Sequence, residues 1–280
     1  MSATMEWENL VLNLRGFMGQ FPSPKVILGF SRGFDSTMVA AIAAEAVGGE
    51  NVLGVALPSM YSEDQYLTES KELAEHLGIQ FMSVPIHSAY NTTMDELSLA
   101  DHQMTAEWSN LQENLQSRLR AVILMALSNG GKGIVLNCSN LSERLLGYYT
   151  IGGDDIGSVS PIGNYLKTEL WDIARGVNEA RGEEVIPEYI INARPTAELA
   201  PGQTDEDALG VDYETTDRIL SEFLSLPESE LGDLPSVVQI IAKNLSIDER
   251  TVQSIMGRVY RNSFKRAPMP VIPTATGRAV

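Results

Sequence analysis

Ser31, Gly33, Asp35 and Ser36 fall within a single short run, KVILGFSRGFDS, from Lys25 to Ser36. Glycine lets a backbone turn tightly and approach a ligand closely, and serine hydroxyls are hydrogen-bond donors. The residues that follow, TMVAAIAAEAV, have helical composition. A polar turn feeding a helix start presents unpaired backbone N–H groups and the positive end of the helix macrodipole, so a phosphate is stabilised there without a dedicated cation. Asp35 is available to hold a divalent ion. The run is not a GxxxxGK[ST] loop, because no lysine follows the glycine, and it is not GxGxxG.

Other residues with chemical potential are scattered. Ser142 and Glu143 sit where a short helix is expected to start, and the acids Asp154 and Asp155 lie in a glycine-rich segment, Gly147 to Gly163, read as long and mobile. Arg118 and Arg120 precede the apolar half of a long helix. The single cysteine, Cys138, leaves no internal disulfide and no multi-cysteine zinc site, and His76, His87 and His102 lack metal-ligand spacing.

These residues need elements to hold them. Residues 25–30, 51–58, 81–86 and 133–139 read as short apolar strands. Helical patterns cover residues 4–20, the stretch after Ser36, a segment that Ser62 would cap and Gly78 would stop, residues 106–128 and residues 166–182. Strands alternating with helices predict an α/β fold with a doubly wound parallel sheet flanked by helices, and ligands bind such sheets at the carboxyl ends of the strands. Residues 195–210 carry four acids and read as an ordered loop too polar for a core. Helices are expected over 212–224 and 235–260, before a basic, proline-rich tail. The chain is thus expected to be one domain over 1–280, with a core sheet within 22–200 and a helical region with its tail over 211–280.

Twenty Lys and Arg against 37 Asp and Glu give a formal charge of −17, which disfavours a nucleic-acid partner. Hydrophobic content of 44% with 20% charged residues fits a globular chain. No apolar run reaches the ~18 residues of a membrane helix, and the acidic N-terminus is unlike a secretory signal. A cytoplasmic protein with no membrane partner is expected.

The turn resembles the SGGxDS pyrophosphatase loop of the adenine-nucleotide α-hydrolase group, with Arg32 in place of the first glycine. Five collinear segments narrow the resemblance: GFSRGFDST, LQSRLR, NLSERLLGYYTIGGDD with SPIGNYLKTEL, PTAEL with GQTDEDALG, and NSFKR. Together they resemble the synthetase domain of NAD synthetases, which convert deamido-NAD to NAD with ATP. The resemblance implies an ammonia-dependent ligase working through an acyl-adenylate, with magnesium as cofactor and a homodimeric state. It assigns Asp35 and Glu143 to magnesium, and Asp35, Glu143 and Lys167 to catalysis. Gly29, Phe30, Ser31, Arg32, Gly33, Phe34 and Ser36, with Cys138, Lys167 and Thr196, are assigned to ATP. Arg118, Asp154 and Lys265 are assigned to deamido-NAD.

Departures fall in the site: Arg32 for glycine, Cys138 for threonine, and Leu141, Ile151 and Met60 where relatives carry cations. Each lost charge-assisted hydrogen bond weakens polyanion binding by ~1 kcal/mol or more. A nucleotide-binding homologue without turnover, or another ATP pyrophosphatase-type ligase, is the competing expectation. The nitrogen donor is expected to be ammonia, free or from a glutaminase on a separate chain, since a glutamine-using member carries a further domain with a nucleophilic cysteine.

Overall fold

The computed structural model describes residues 2–62, 65–100, 108–196, 205–231 and 233–267. Four parallel strands, β1 (Val26–Gly29), β2 (Val52–Ala56), β3 (Gln80–Ser83) and β4 (Ile134–Val135), form one sheet among the described residues in the order β3-β2-β1-β4. Each of the predicted strands is present. The last is shorter than residues 133–139 because the chain leaves the ladder after a single bridge between Leu136 and Val159. Val26 pairs with both Val52 and Ile134, which makes β1 central.

Alternation along β1 explains why both sheet faces are covered. Val26 and Leu28 join one apolar cluster, and Ile27 joins another with Leu53, Val55, Leu124 and Val135. The first face carries α1 (Ala3–Met18), α2 (Phe34–Val47) and, behind them, α7 (Lys167–Arg181). In α1 the spacing of Trp7, Leu10, Val11 and Leu14 buries one stripe, as expected. Helix α2 is apolar nearly all round because sheet and helices enclose it. The second face carries α5 (Trp108–Asn129), which packs on β1 and β4.

Two boundaries differ from the sequence pattern. Helix α3 (Tyr66–His76) starts after Gln65, and Ser62 instead accepts a hydrogen bond from the Ser59 amide, so it does not cap the helix. Residues His87–Ala100 form a helix, α4, that weak amphipathicity concealed.

The remaining helices are α6 (Leu141–Leu146), α8 (Glu188–Ile191), α9 (Asp205–Leu209), α10 (Tyr213–Ser225), α11 (Leu234–Leu245) and α12 (Glu249–Arg261). Helices α10–α12 close a third apolar cluster with Leu146 and Leu166. Trp171 of α7 packs against this cluster and against the first, with its ring edge-on to Phe34 at 6.5 Å and to Tyr213 at 6.0 Å. The helical region is thereby docked on α7, whose Trp171 links it to Phe34 at the start of α2. Residues 197–204 of the expected loop and the tail from 268 lie outside the described residues.

Candidate active site

The turn Ser31–Gly33 leaves the carboxyl end of β1, and Gly33 occupies the N-cap of α2 with extended backbone. The Ser36 hydroxyl lies 3.1 Å from that of Ser31 and 3.1 Å from the Gly33 carbonyl, and it accepts from the Ser31 amide. The Gly33 amide donates to Ser31 Oγ at 3.0 Å. A Cβ on Gly33 would stand 2.9 Å from that oxygen, so a larger residue here would force the Ser31 hydroxyl to rotate out of the turn. The aromatic side chains of Phe30 and Phe34 are buried in the core, and the Phe30 amide still donates to the Val55 carbonyl at 2.9 Å.

Arg32 does not clash, because its side chain folds outward. The guanidinium pairs with Glu69 of α3 and lies over the Tyr66 ring, 5.7 Å from its centroid.

Asp35, in the first turn of α2, meets two residues distant in sequence. Its Oδ2 is ion-paired with the Lys167 ammonium, and its Oδ1 accepts from Asn140 Nδ2 at 3.2 Å. Asn140 is also the N-cap of α6: its Oδ1 accepts from the Glu143 amide at 3.0 Å while Glu143 Oε2 accepts from the Asn140 amide at 3.3 Å. This capping box joins Asp35 to Glu143. The Ser142-Glu143 start expected from sequence is present, with Asn140 as the capping residue. The signal N-x-x-E was legible, but nothing in the pattern marked its second role at Asp35.

The electrostatics follow from burial. The Glu143 carboxyl is pushed well above the usual carboxylate range, first by desolvation and then by the charge of Asp35. For Lys167, which is 2% exposed, burial works against the charge, but Asp35 and Glu143 outweigh it, so the ammonium stays protonated above its ordinary value. The ring of Phe34, 5.5 Å from Nζ, and that of Tyr213, at 5.6 Å, complete its surroundings. Cys138 is half-buried at the end of the strand, and burial together with Asp35 and Glu143 raises its thiol, the opposite of what a nucleophile needs.

Asp205 corrects the reading of residues 195–210 as too polar for a core. It is buried, its two oxygens are within 3.4 Å of the Tyr148 hydroxyl and 3.3 Å of the Tyr213 hydroxyl, and its charge acts on Lys167. Its amide donates to the Pro195 carbonyl at 3.0 Å, and exposed Thr196 follows directly in the chain.

The three residues expected at deamido-NAD gather on the glycine-rich segment. Arg118 Nε donates to the Ile151 carbonyl at 3.1 Å. Asp154 is exposed, with Oδ1 accepting from the Thr150 amide at 2.7 Å and from Ser117 Oγ at 2.9 Å. Lys265 Nζ donates to the Gly147 and Tyr149 carbonyls, both at 2.7 Å. The segment is therefore a pinned scaffold and not the free loop its glycines predicted. Gly147 ends α6 at φ 64°, where a Cβ would stand 2.4 Å from Cβ of Asn262. Asn137 Nδ2 donates to the Asp154 carbonyl at 2.8 Å, which ties this group to the end of β4 and so to the first.

Two carboxylates that converge through Asn140, beside a phosphate-type turn, are a hard oxygen donor set. Magnesium takes one or two protein carboxylates and completes its shell with water and phosphate oxygens, so these residues fit it.

The family model of NAD synthase matches residues 6–269. A glutamine-dependent NAD(+) synthetase of Aquifex aeolicus is 38% identical over 96% of this chain, which spans 45% of that relative's length. An NH(3)-dependent NAD(+) synthetase of Pyrococcus furiosus is 31% identical over 96% of this chain and 95% of its own. The chain spans less than half the length of the first curated relatives it matches. Among solved structures, NMN synthetase from Francisella tularensis aligns with a TM-score of 0.75 at 25% identity, covering 98% of this chain and 99% of that one. With a family model matched over residues 6–269 and relatives above 30% identical along nearly the whole chain, this chain belongs to the NAD synthase family.

Proposed function

We propose that this chain amidates deamido-NAD to NAD, using ATP to form an acyl-adenylate and ammonia to resolve it, with release of pyrophosphate and AMP. The observation that carries the reading is the meeting of Asp35, Glu143 and Lys167 at the carboxyl end of β1, beside the turn Ser31–Ser36. A carboxylate resists amide formation because its oxygen leaves poorly, and adenylation converts that oxygen into part of a good leaving group.

Charge develops on the α-phosphate and pyrophosphate as the adenylate forms, so fixed donors dominate the barrier. The start of α2 supplies amides and the Ser31 and Ser36 hydroxyls. Lys167 supplies a buried cation that trades Asp35 for phosphate oxygen when the triphosphate enters. Asp35 and Glu143 would hold magnesium, which would neutralise phosphate charge there. Arg118, Asp154 and Lys265, on and around the segment 147–155, are read as the deamido-NAD surface, and Cys138 and Thr196 as adenosine-side and phosphate-side contacts.

Ammonia as donor is supported by the Pyrococcus relative named NH(3)-dependent, matched along 95% of its length. Homodimerisation is supported by the exposed apolar Val122 and Met125 of α5, which follow Arg118 at helical spacing. The relative named NMN synthetase motivates a second acid as a comparison substrate.

Purified protein with ATP, magnesium and deamido-NAD, given ammonium or glutamine in turn, tests the reading. AMP and NAD are expected with ammonium. Turnover with glutamine alone would reject the ammonia assignment, and preferential use of nicotinate mononucleotide would reject the dinucleotide.

A further inference from the structure

We propose that Asp217 is a positioning residue for this site: one buried carboxylate on α10 fixes the starts of the two helices that carry Glu143 and Lys167. The inference rests on the amidation reading above. Asp217 lies outside the motif segments that mark the site, and it is 2% exposed.

Each of its oxygens serves a different helix. Oδ1 accepts from Ser142 Oγ, on α6 beside Glu143, at 2.5 Å. Oδ2 accepts from the Thr168 amide at 2.8 Å and from Thr168 Oγ1 at 3.0 Å, on the first turn of α7 beside Lys167. Ser142 Oγ in turn accepts from the Lys167 amide at 2.9 Å, which closes the network.

Local sequence does not supply what this network supplies. The N-cap of α7 is Leu166, whose side chain has no oxygen, so the first amides of that helix lack a cap from their own strand of chain. Asp217 and Ser142 take those amides from across the molecule, and the carboxylate also faces the positive end of the helix dipole. An apolar residue at this place on α10 would serve packing alone at less desolvation cost, because the neighbouring positions Tyr213, Thr216, Ile219 and Leu220 are all buried. What a carboxylate adds is geometry: it sets where Lys167 Nζ and Glu143 stand relative to Asp35. A displacement of about 1 Å in reacting groups costs on the order of 100-fold in rate.

The test uses Asp217→Asn, which keeps size but cannot accept from both helices. ATP–pyrophosphate exchange with deamido-NAD and magnesium reads the chemical step, and acetylation of Lys167 by an N-hydroxysuccinimide ester, followed by mass spectrometry, reads its position. We expect kcat to fall about 100-fold with KM for deamido-NAD within about threefold, and Lys167 labelling to rise at least about tenfold. In a Lys167→Ala background the same change should cost under about threefold, because the two act through one another.

Equal losses in both backgrounds, or unchanged kcat with Lys167 still protected, would overturn the proposal. A purely packing role would lower the melting temperature while leaving kcat per folded molecule and Lys167 labelling in place. Should Asp217→Asn not fold, Thr168→Val removes one of the three donors and should still raise labelling and lower kcat about fivefold; no change in either overturns the proposal. Absence of exchange in the wild type would sink the amidation reading, and the labelling ratio would still judge Asp217.

Discussion

The ammonium of Lys167 is ion-paired with the carboxylate of Asp35 across 132 residues of chain, and the lysine side chain is only 3% exposed. Breaking such a pair leaves a charge in a place that already holds Glu143 and Asp205. Lys167→Met is therefore expected to cost about 3 kcal/mol in urea unfolding. Asp35→Asn in the same background should recover most of it. A double variant no more stable than Lys167→Met would show that the pair is not the source of the loss.

Glu143→Gln should move stability and function in opposite directions. The amide keeps an acceptor for the Asn140 backbone but removes a charge that burial and Asp35 both oppose. At pH 8 and without nucleotide, the melting temperature should rise. Magnesium-dependent ATP affinity should fall at least about tenfold, or 1.4 kcal/mol, by calorimetry. A variant with unchanged metal dependence would remove Glu143 from the metal set.

The pH dependence has a defined sign. Burial raises the carboxyls of Glu143, Asp205 and Asp217 above their ordinary values of 4.5 and 3.8. Between those values and the raised ones the folded chain binds more protons than the unfolded chain, so stability falls as pH rises, by about 1.4 kcal/mol per pH unit for each proton of difference. Below 3.8 the lowered caps Asp212 and Asp233 act oppositely, their contribution disappearing as pH falls. The contribution of Lys167 is complete below 10.5 and is lost as pH rises through its raised folded value. Urea unfolding from pH 4.5 to 8.5 should show the decline, flattened in Glu143→Gln. A rise in stability across that window would contradict the electrostatics of the cluster.

Arg32→Gly tests the one residue of the turn that departs from the resemblance. Its guanidinium is directed to Glu69 and Tyr66, so removing it should cost about 1 kcal/mol or less and change KM for ATP under about threefold. A tenfold loss of ATP affinity would instead make Arg32 a phosphate ligand.

Lys265→Met removes both bonds to the Gly147 and Tyr149 carbonyls. Limited proteolysis should then cut faster within 147–157, and KM for deamido-NAD should rise at least about tenfold with a smaller change in kcat. Unchanged cleavage would mean that the lysine does not hold the segment.

Sequence alone determined the layered α/β architecture, because strand and helix periods are local properties: four apolar runs became four parallel strands, and the Ser31–Ser36 turn took its place at the end of β1. It also marked, through resemblance, Asp35, Glu143 and Lys167, which the fold then brought together. It did not mark Asn140, Asp205 or Asp217. Asp205 stands in a run of acids that reads as solvent-facing, and Asp217 lies on an amphipathic helix where only its place on the apolar face, four residues after Tyr213, hints at burial. Whether a carboxylate is solvated or buried depends on what the rest of the chain lays against it. Tertiary structure decided that for Asp205 through Tyr148 and Tyr213, and for Asp217 through Ser142 and Thr168, partners that no spacing in the sequence connects.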